Sequence, residues 1–319
     1  MSSNDYVMFI HGVKNHAEQE FLASAVTLSK QINKRIENID LKPIYFFWGD
    51  LAVPLEDKLK LGMNNSKMFS NMWFQNIRKD TIIPFVGDAA LYLSRHVGVK
   101  ILFRLRDHLK SIAPQVGGRI HIVAHSLGSI ILFDILFSGR WNDATLSSHG
   151  DNEENIGEVI TEIRDAFYGM GKHKSQGFEI ASIYTMGSPI ALFSLISATG
   201  DSSHNLAPNL NALLVNLFNK NNTKLKWCNF VHPGDAIAYP LEGLLSDLLD
   251  KQQNGLDSIS LTDIITDNGN IFSLPFQQTF FALLGAGDAH GSYWRSNLVA
   301  SRIAKEIGQI ISSPSQPTS

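Results

Sequence analysis

Hydrophobic and polar positions along the chain switch repeatedly between the two-residue period of strands and the three- and four-residue spacing of amphipathic helices. Tyr6-Val7-Met8-Phe9-Ile10 is a short apolar run that predicts a buried strand, and Phe21, Ala25, Leu28 and Ile32 then mark one face of a helix. Ile44 to Trp48 predicts the next strand. Ile101, Leu105, Leu109 and Ile112 stripe a second helix that Pro114 ends. Arg119-Ile120-His121-Ile122-Val123-Ala124 alternates and is β-branched, as suits a central strand, and Ile130-Ile131-Leu132-Phe133 continues it as an apolar helix. Glu179 to Met186 and Lys226 to Val231 predict two more strands; Val299, Ile303, Ile307 and Ile310 predict the buried stripe of a last helix. This alternation predicts an α/β fold whose mainly parallel sheet is covered by helices on both faces. No internal repeat or linker divides residues 1–311, which read as one domain, and the Ser- and Pro-rich tail 312–319 reads as disordered.

Composition narrows the classes. With 319 residues, 44% of them hydrophobic, the chain can bury one large core. A net charge of −3 without a basic cluster argues against nucleic acid as a partner. The single cysteine, Cys228, excludes an intrachain disulfide and a cysteine-rich zinc site, and fits a reducing compartment. No basic and long apolar stretch precedes the first strand, so a signal peptide is not expected. No segment offers the ~20 uninterrupted apolar residues of a spanning helix; Ile271 to Ala286 comes closest and contains Pro275, Gln277 and Gln278. A cytoplasmic protein is the expectation. Gly285-Ala286-Gly287 lacks dinucleotide-binding spacing, no phosphate-binding loop is present, and His11 with His16 does not meet the zinc-protease pattern, so neither cofactor nor metal is expected.

The candidate chemistry centres on Ser126, in Ala124-His125-Ser126-Leu127-Gly128, where a strand turns straight into a helix. The spacing is that of a nucleophile elbow, which needs small residues two positions either side of the nucleophile. A plain helix N-cap serine would fit the same place. In such sheets the acid and the base follow the nucleophile in that order. Asp235, in His232-Pro233-Gly234-Asp235 at the end of a strand, is the candidate acid; an Asx-type turn is its structural alternative. His290, in Ala289-His290-Gly291-Ser292-Tyr293-Trp294, is the candidate base, with His232 as rival. Leu127 and either Val13 or Gly12 are placed to supply the two backbone N–H groups of an oxyanion hole. His125 and His121 read as packed histidines, and His11, His125, Trp73 and Phe276 are candidates for lining a substrate site.

Phe9-Ile10-His11-Gly12, Ala124 to Gly128, Tyr184-Thr185-Met186-Gly187-Ser188-Pro189, Gly234-Asp235-Ala236-Ile237-Ala238 and His290-Gly291-Ser292-Tyr293-Trp294 resemble, in order, the landmarks of α/β-hydrolase-fold serine esterases and lipases, bacterial lipase-like hydrolases above all. They span Phe9 to Trp294. The resemblance implies a Ser126–Asp235–His290 triad and hydrolysis of lipid or carboxylic esters. Ala124 stands where the broad pattern has glycine, which bears on subfamily and not on mechanism. Acyl transfer and thioester hydrolysis use the same residues, and a non-catalytic lipid- or protein-binding module of the same fold is the reading from another class. A membrane-attacking effector is a third.

Three segments read as insertions, at about 50–86, 188–224 and 240–286. Leu61 to Ile77 carries Met63, Met68, Phe69, Met72, Trp73 and Phe74; Leu241, Leu244, Leu245, Leu248 and Leu249 read as an amphipathic helix; Ile271 to Leu284 carries Phe272, Phe276, Phe280 and Phe281. They fit a cap or lid over an acyl pocket, an interfacial surface making peripheral membrane contact, or ordinary satellite packing.

Overall fold

A computed structural model describes residues 4–13, 17–36, 39–66, 68–69, 75, 79, 83–93, 96–112, 118–137, 141, 155–168, 177–193, 214–215, 217–219, 222–244, 257–266 and 289–312, with 84–86, 96 and 193 described by backbone alone. Six strands form one sheet: β1 (Asp5–Ile10), β2 (Lys42–Phe46), β3 (Gly118–His125), β4 (Phe178–Met186), β5 (Leu225–Val231) and β6 (Ile259–Ile265). The helices, in chain order, are α1 (Glu18–Asn33), α2 (Val53–Asn64), α3 (Ile83–Leu93), α4 (His96–Ser111), α5 (Leu127–Leu136), α6 (Ile156–Tyr168), α7 (Ile190–Phe193) and α8 (Asn297–Ser312). Every strand pair is parallel, in the order β2-β1-β3-β4-β5-β6. The chain is the parallel α/β protein that its periodicity predicts.

Alternation along the strands divides the core in two. On one face Met8 and Ile10 of β1 and Ile120, Ile122 and Ala124 of β3 pack with Leu102, Leu105 and Leu109 of α4, with α5 and with α6. On the other, Val7, Phe9 and Val123 pack with Phe21, Ala25, Leu28 and Ile32 of α1 and Val299, Ile303 and Ile307 of α8. β3 is buried along almost its whole length, and α5 behind it is buried at every position, as a central strand and crossover helix must be. At the amino-terminal edge the second face carries a buried polar group. Arg119 makes a bidentate pair with Asp5 (2.7 and 3.1 Å), and fully buried His121 lies 3.6 Å from the same carboxylate and 2.7 Å from Ser182 Oγ. Burial opposes ionisation of Asp5, but hydrogen bonds and charge from His121 and Arg119 outweigh it and hold its carboxyl below the usual range.

Three expectations are altered. The second strand stops at Phe46 and does not reach Trp48, because the Trp48 amide turns to the His11 ring instead of the ladder. Leu241 to Leu244 is described as a turn whose first amides, those of Leu241 and Glu242, are taken by the carboxylate of Asp263 at 2.8–3.0 Å, and Leu245, Leu248 and Leu249 of the expected amphipathic helix lie outside the described residues. Asp263 lies on β6, an edge strand inside the stretch 240–286 that reads as insertion. Met68 is 72% exposed while Phe69 is buried; Trp73, Phe276, Leu248 and the rest of the phenylalanine-rich stretch lie outside the described residues. Among the described residues no helix is long and apolar enough to cross a membrane.

Candidate active site

The strand order reverses at β1, whose chain neighbour β2 lies to one side while β3 to β6 continue to the other. In open parallel sheets the crevice at such a switch point, outside the carboxyl ends of the strands, is where ligands bind. The loop after β1 and the turn after β3 therefore meet there. They meet backbone to backbone: a Cβ on Gly12 would collide with Ser126 Cβ, and one on Gly128 would lie 2.5 Å from the carbonyl oxygen of His11.

Ser126 occupies the junction of β3 and α5 with φ 53° and ψ −127°. That conformation costs a side chain with a Cβ about 1–3 kcal/mol and persists only where the surroundings impose it. The Ser126 amide donates to Met186 O at 2.9 Å, and its carbonyl accepts from Ser129 N–H (2.9 Å) and Ser129 Oγ (2.6 Å). An N-cap serine turns its hydroxyl onto an amide of the helix it starts, and Ser126 makes no such bond. Its Oγ is buried and has no hydrogen-bond partner.

Asp235 Oδ2 lies 2.8 Å from His290 Nδ1 and accepts a second hydrogen bond from Tyr293 O–H at 2.8 Å. Oδ1 accepts from Ile237 N–H at 3.2 Å, an Asx turn, so the structural reading of this aspartate holds for one oxygen while the other faces the histidine. Burial opposes the charge on Asp235, but the bond and charge of His290, then Tyr293 and the Ile237 amide, keep its carboxyl below the usual range. His290 Nε2, the far side of the ring, is buried without a hydrogen-bond partner. His232, the rival base, has its Nδ1 accepting from Gly234 N–H at 3.0 Å and serves the turn.

Neighbouring groups fix this arrangement. Gly187, after β4, has φ 60°, and a Cβ there would lie 2.9 Å from Asp235 Oδ2, 2.9 Å from Tyr293 Cε2 and 3.0 Å from His290 Cε1. Trp294 packs against Phe9 and Phe21 and so anchors the segment that carries His290. His125 Nε2 lies 2.7 Å from the carbonyl oxygen of His290, and the two rings are 4.6 Å apart. A carbonyl only accepts, so Nε2 carries the proton. Burial, then the neighbouring charge of His290, pushes the His125 pKa down to about 3, which keeps it neutral. The packed-histidine reading of His125 and His121 fits their burial, and His125 also touches the site.

His11 stacks on Trp48 with centroids 4.8 Å apart. The Trp48 amide donates to His11 Nε2 and its indole N–H to His11 O, both at 3.0 Å. Because Nε2 accepts, Nδ1 carries the proton and donates to Gly12 O at 2.7 Å. That carbonyl is turned toward the His11 ring, so the Val13 N–H, on the opposite edge of the same trans peptide, points away from it. His11 is fully buried, and its hydrogen bonds hold the loop. Leu127 begins α5, whose first amides face the crevice end of β3.

Ser126, Gly12, His125, Asp235 and His290 are thus gathered at the carboxyl edge, with Leu127, Val13 and His11 beside them, whereas Trp73 and Phe276 lie outside the described residues. Trp48, Gly187 and Tyr293 have site contacts that sequence reasoning left without a role; the aromatic directly after His290-Gly291-Ser292 is the nearest signal there was. Among the described residues no three His, Cys, Asp or Glu side chains group as a metal site.

The fold and site together define a parallel α/β protein with a strained, buried serine and a histidine–carboxylate pair over the carboxyl edge of its sheet. No family model matches the chain. It is similar to phospholipase DDHD1, with 26% identity over 162 residues, 41% of this chain; the match covers 27% of the mouse (Mus musculus) protein and 16% of the human (Homo sapiens) one. It is likewise 26% identical over 170 residues, half of the chain, to the probable mitochondrial phospholipase YOR022C of Saccharomyces cerevisiae, covering 18% of that protein. The chain thus matches less than a third of the length of each relative.

Proposed function

We propose that the chain is a serine hydrolase of the α/β-hydrolase fold that cleaves carboxylic esters of lipids, phospholipids among them. The observation that carries the reading is the histidine held by its Nδ1 on the Asp235 carboxylate, with His290 Nε2 and the hydroxyl of strained Ser126 both buried and unpartnered. Buried polar atoms are almost always satisfied, and a catalytic role is one of the explanations that an exception calls for. The distant likeness to phospholipases supports the substrate class.

In this mechanism His290 Nε2 takes the Ser126 proton as Oγ attacks the ester carbonyl, while Asp235 holds the tautomer and stabilises the imidazolium. The N–H groups of Leu127 and of Val13 or Gly12 receive the oxyanion. The imidazolium returns its proton to the leaving alcohol, giving the acyl-enzyme. His290 then activates a water that releases the acid.

The test is hydrolysis of a chain-length series of soluble acyl esters and of phospholipid vesicles by wild type, Ser126→Ala and His290→Ala. Turnover lost in both variants, with a fluorophosphonate adduct on Ser126, supports the reading. Wild-type rates in either variant would refute it.

A further inference from the structure

Tyr293 is fully buried, three residues beyond His290, and its hydroxyl is used twice. The O–H donates to Asp235 Oδ2 at 2.8 Å, and the oxygen accepts from the His232 amide at 2.9 Å. Oδ2 is also the oxygen that faces His290 Nδ1. One carboxylate oxygen thus serves two donors, while its partner oxygen takes the Ile237 amide.

We propose that Tyr293 is a positioning residue of the reaction, its hydroxyl setting the orientation and basicity of the carboxylate that holds His290. This rests on the serine-hydrolase reading above. Two physical effects follow from the geometry. Through its two hydrogen bonds the hydroxyl ties the acid turn, His232 to Asp235, to the segment that bears the base, so that acid and base move as one body. A hydrogen bond to a carboxylate also draws charge from the oxygen it reaches, so Oδ2 stabilises an imidazolium less than it would with His290 as its only donor. Packing alone does not call for this arrangement, since the ring would fill the same space as phenylalanine.

Among the described residues the titratable groups facing Tyr293 are Asp235 in direct contact, His290 across the shared oxygen, His125 with ring centroids 6.0 Å apart and His232 at 6.5 Å. His125 remains neutral at any pH at which the enzyme is assayed, and from α1 it is Phe21 that packs beside this segment, against Trp294. Of these groups only Asp235 and His290 share the oxygen that the Tyr293 hydroxyl reaches, so a change in the pH–rate profile that Asp235→Asn abolishes is carried through that oxygen.

The experiment measures kcat, KM and the pH profile for a soluble short-chain p-nitrophenyl ester with wild type, Tyr293→Phe, Asp235→Asn and the double variant, with Ser126→Ala and fluorophosphonate labelling alongside. Tyr293→Phe is expected to lower kcat about tenfold, because releasing the acid turn from the segment that bears His290 misorients the pair by more than the stronger carboxylate regains, with KM nearly unchanged. Its acid limb should move up by about half a pH unit, because the freed carboxylate favours the imidazolium more strongly. In the Asp235→Asn background the same substitution should have little further effect. Equal effects in both backgrounds, or an unchanged kcat and acid limb, would overturn the proposal and leave the serine-hydrolase reading standing. That reading fails separately if Ser126→Ala retains wild-type rates and the probe does not label. Should Tyr293→Phe not fold, 3-fluorotyrosine placed at this site keeps the shape and donates more strongly. The acid limb should then move down, and an unmoved limb would overturn the proposal.

Discussion

Alanine at Gly187 is a direct geometric challenge to the histidine–carboxylate pair. The residue has φ 60°, and its amide is tied to Phe230 O at 3.1 Å, so the backbone cannot easily swing aside. Adopting this left-handed conformation costs alanine about 1–2 kcal/mol relative to glycine. The new Cβ would then sit 2.9 Å from Asp235 Oδ2, 2.9 Å from Tyr293 Cε2 and 3.0 Å from His290 Cε1. Ordinary contacts for a methyl group begin near 3.4 Å, so the three groups must retreat by about half an ångström, and overpacking of this kind adds about 1–3 kcal/mol. The sum is about 2–5 kcal/mol, or a melting temperature lower by about 4–20 °C for a domain of this size. Because a misplacement of about 1 Å can cost a hundredfold in rate, kcat should fall about ten- to a hundredfold. The assay is Ser126-dependent ester hydrolysis well below the melting point, paired with thermal melts. Gly308→Ala is the control: nothing lies within 4 Å of its Cβ, and in the middle of a helix alanine is expected to be neutral or stabilising by up to about 1 kcal/mol. A Gly187→Ala variant with wild-type kcat would refute the claim that this glycine makes room for the acid and base, even if its melting point dropped.

Other outcomes follow from the same geometry. Ser126→Gly should abolish hydrolysis yet raise stability by about 1 kcal/mol, because glycine adopts the positive φ without strain; a lower melting point would contradict the strain argument. Trp48→Phe keeps the stacked ring but removes the indole N–H from His11 O, and kcat should fall about tenfold with KM little changed if the loop after β1 bears an oxyanion donor. Asp5→Asn should cost about 3 kcal/mol at neutral pH, the lower end for breaking a buried pair, because Arg119 is 19% exposed. The folded-state pKa of Asp5 is depressed, so its contribution is present above the unfolded pKa and is lost as pH falls through the folded one. Denaturant melts of variant and wild type should therefore converge below about pH 4, and a constant gap would show that the charge is not what is lost.

Where one period dominated, the sequence was easy to read. β1, β3, β4 and β5 fall within a residue or two of their predicted places, because each is a run of apolar or alternating residues between polar turns. β6 was not legible. Ile259-Ser260-Leu261-Thr262 alternates and the strand is rich in β-branched residues, but the run is short, Asp263 interrupts it to hold the turn after Asp235, and the apolar residues that follow draw it into a single insertion. The carboxylate that holds the amides of Leu241 and Glu242 comes from a strand some twenty residues later, and no local pattern carries that information. The same holds for Trp48, whose site contacts depend on a histidine 37 positions away.

Sheet order explains why the site residues appear along the chain as they do. β1, β3, β4 and β5 are consecutive neighbours in space, and their carboxyl ends present His11 to Val13, Ser126, Gly187 and Asp235 side by side. A serine on the central strand and an acid two strands away leave a gap over β4 that a third side chain must bridge from above the sheet. Gly187 occupies the end of β4, and its missing side chain is the space in which His290, Asp235 and Tyr293 meet. His290 reaches this space from a later segment, anchored by Trp294 against Phe9 and Phe21. Parallel strand order together with one glycine thus brings Ser126, Asp235 and His290 to one place although they lie far apart in the chain. Filling the two spaces at Gly187 and Gly12 should therefore damage the site by different routes. A Cβ at Gly187 presses on the histidine–carboxylate pair and leaves Ser126 in place, whereas one at Gly12 collides with Ser126 Cβ, lies 3.0 Å from its Oγ and leaves the pair untouched. Fluorophosphonate labelling of Ser126 should be slowed by both, while only Gly187→Ala shifts the pair.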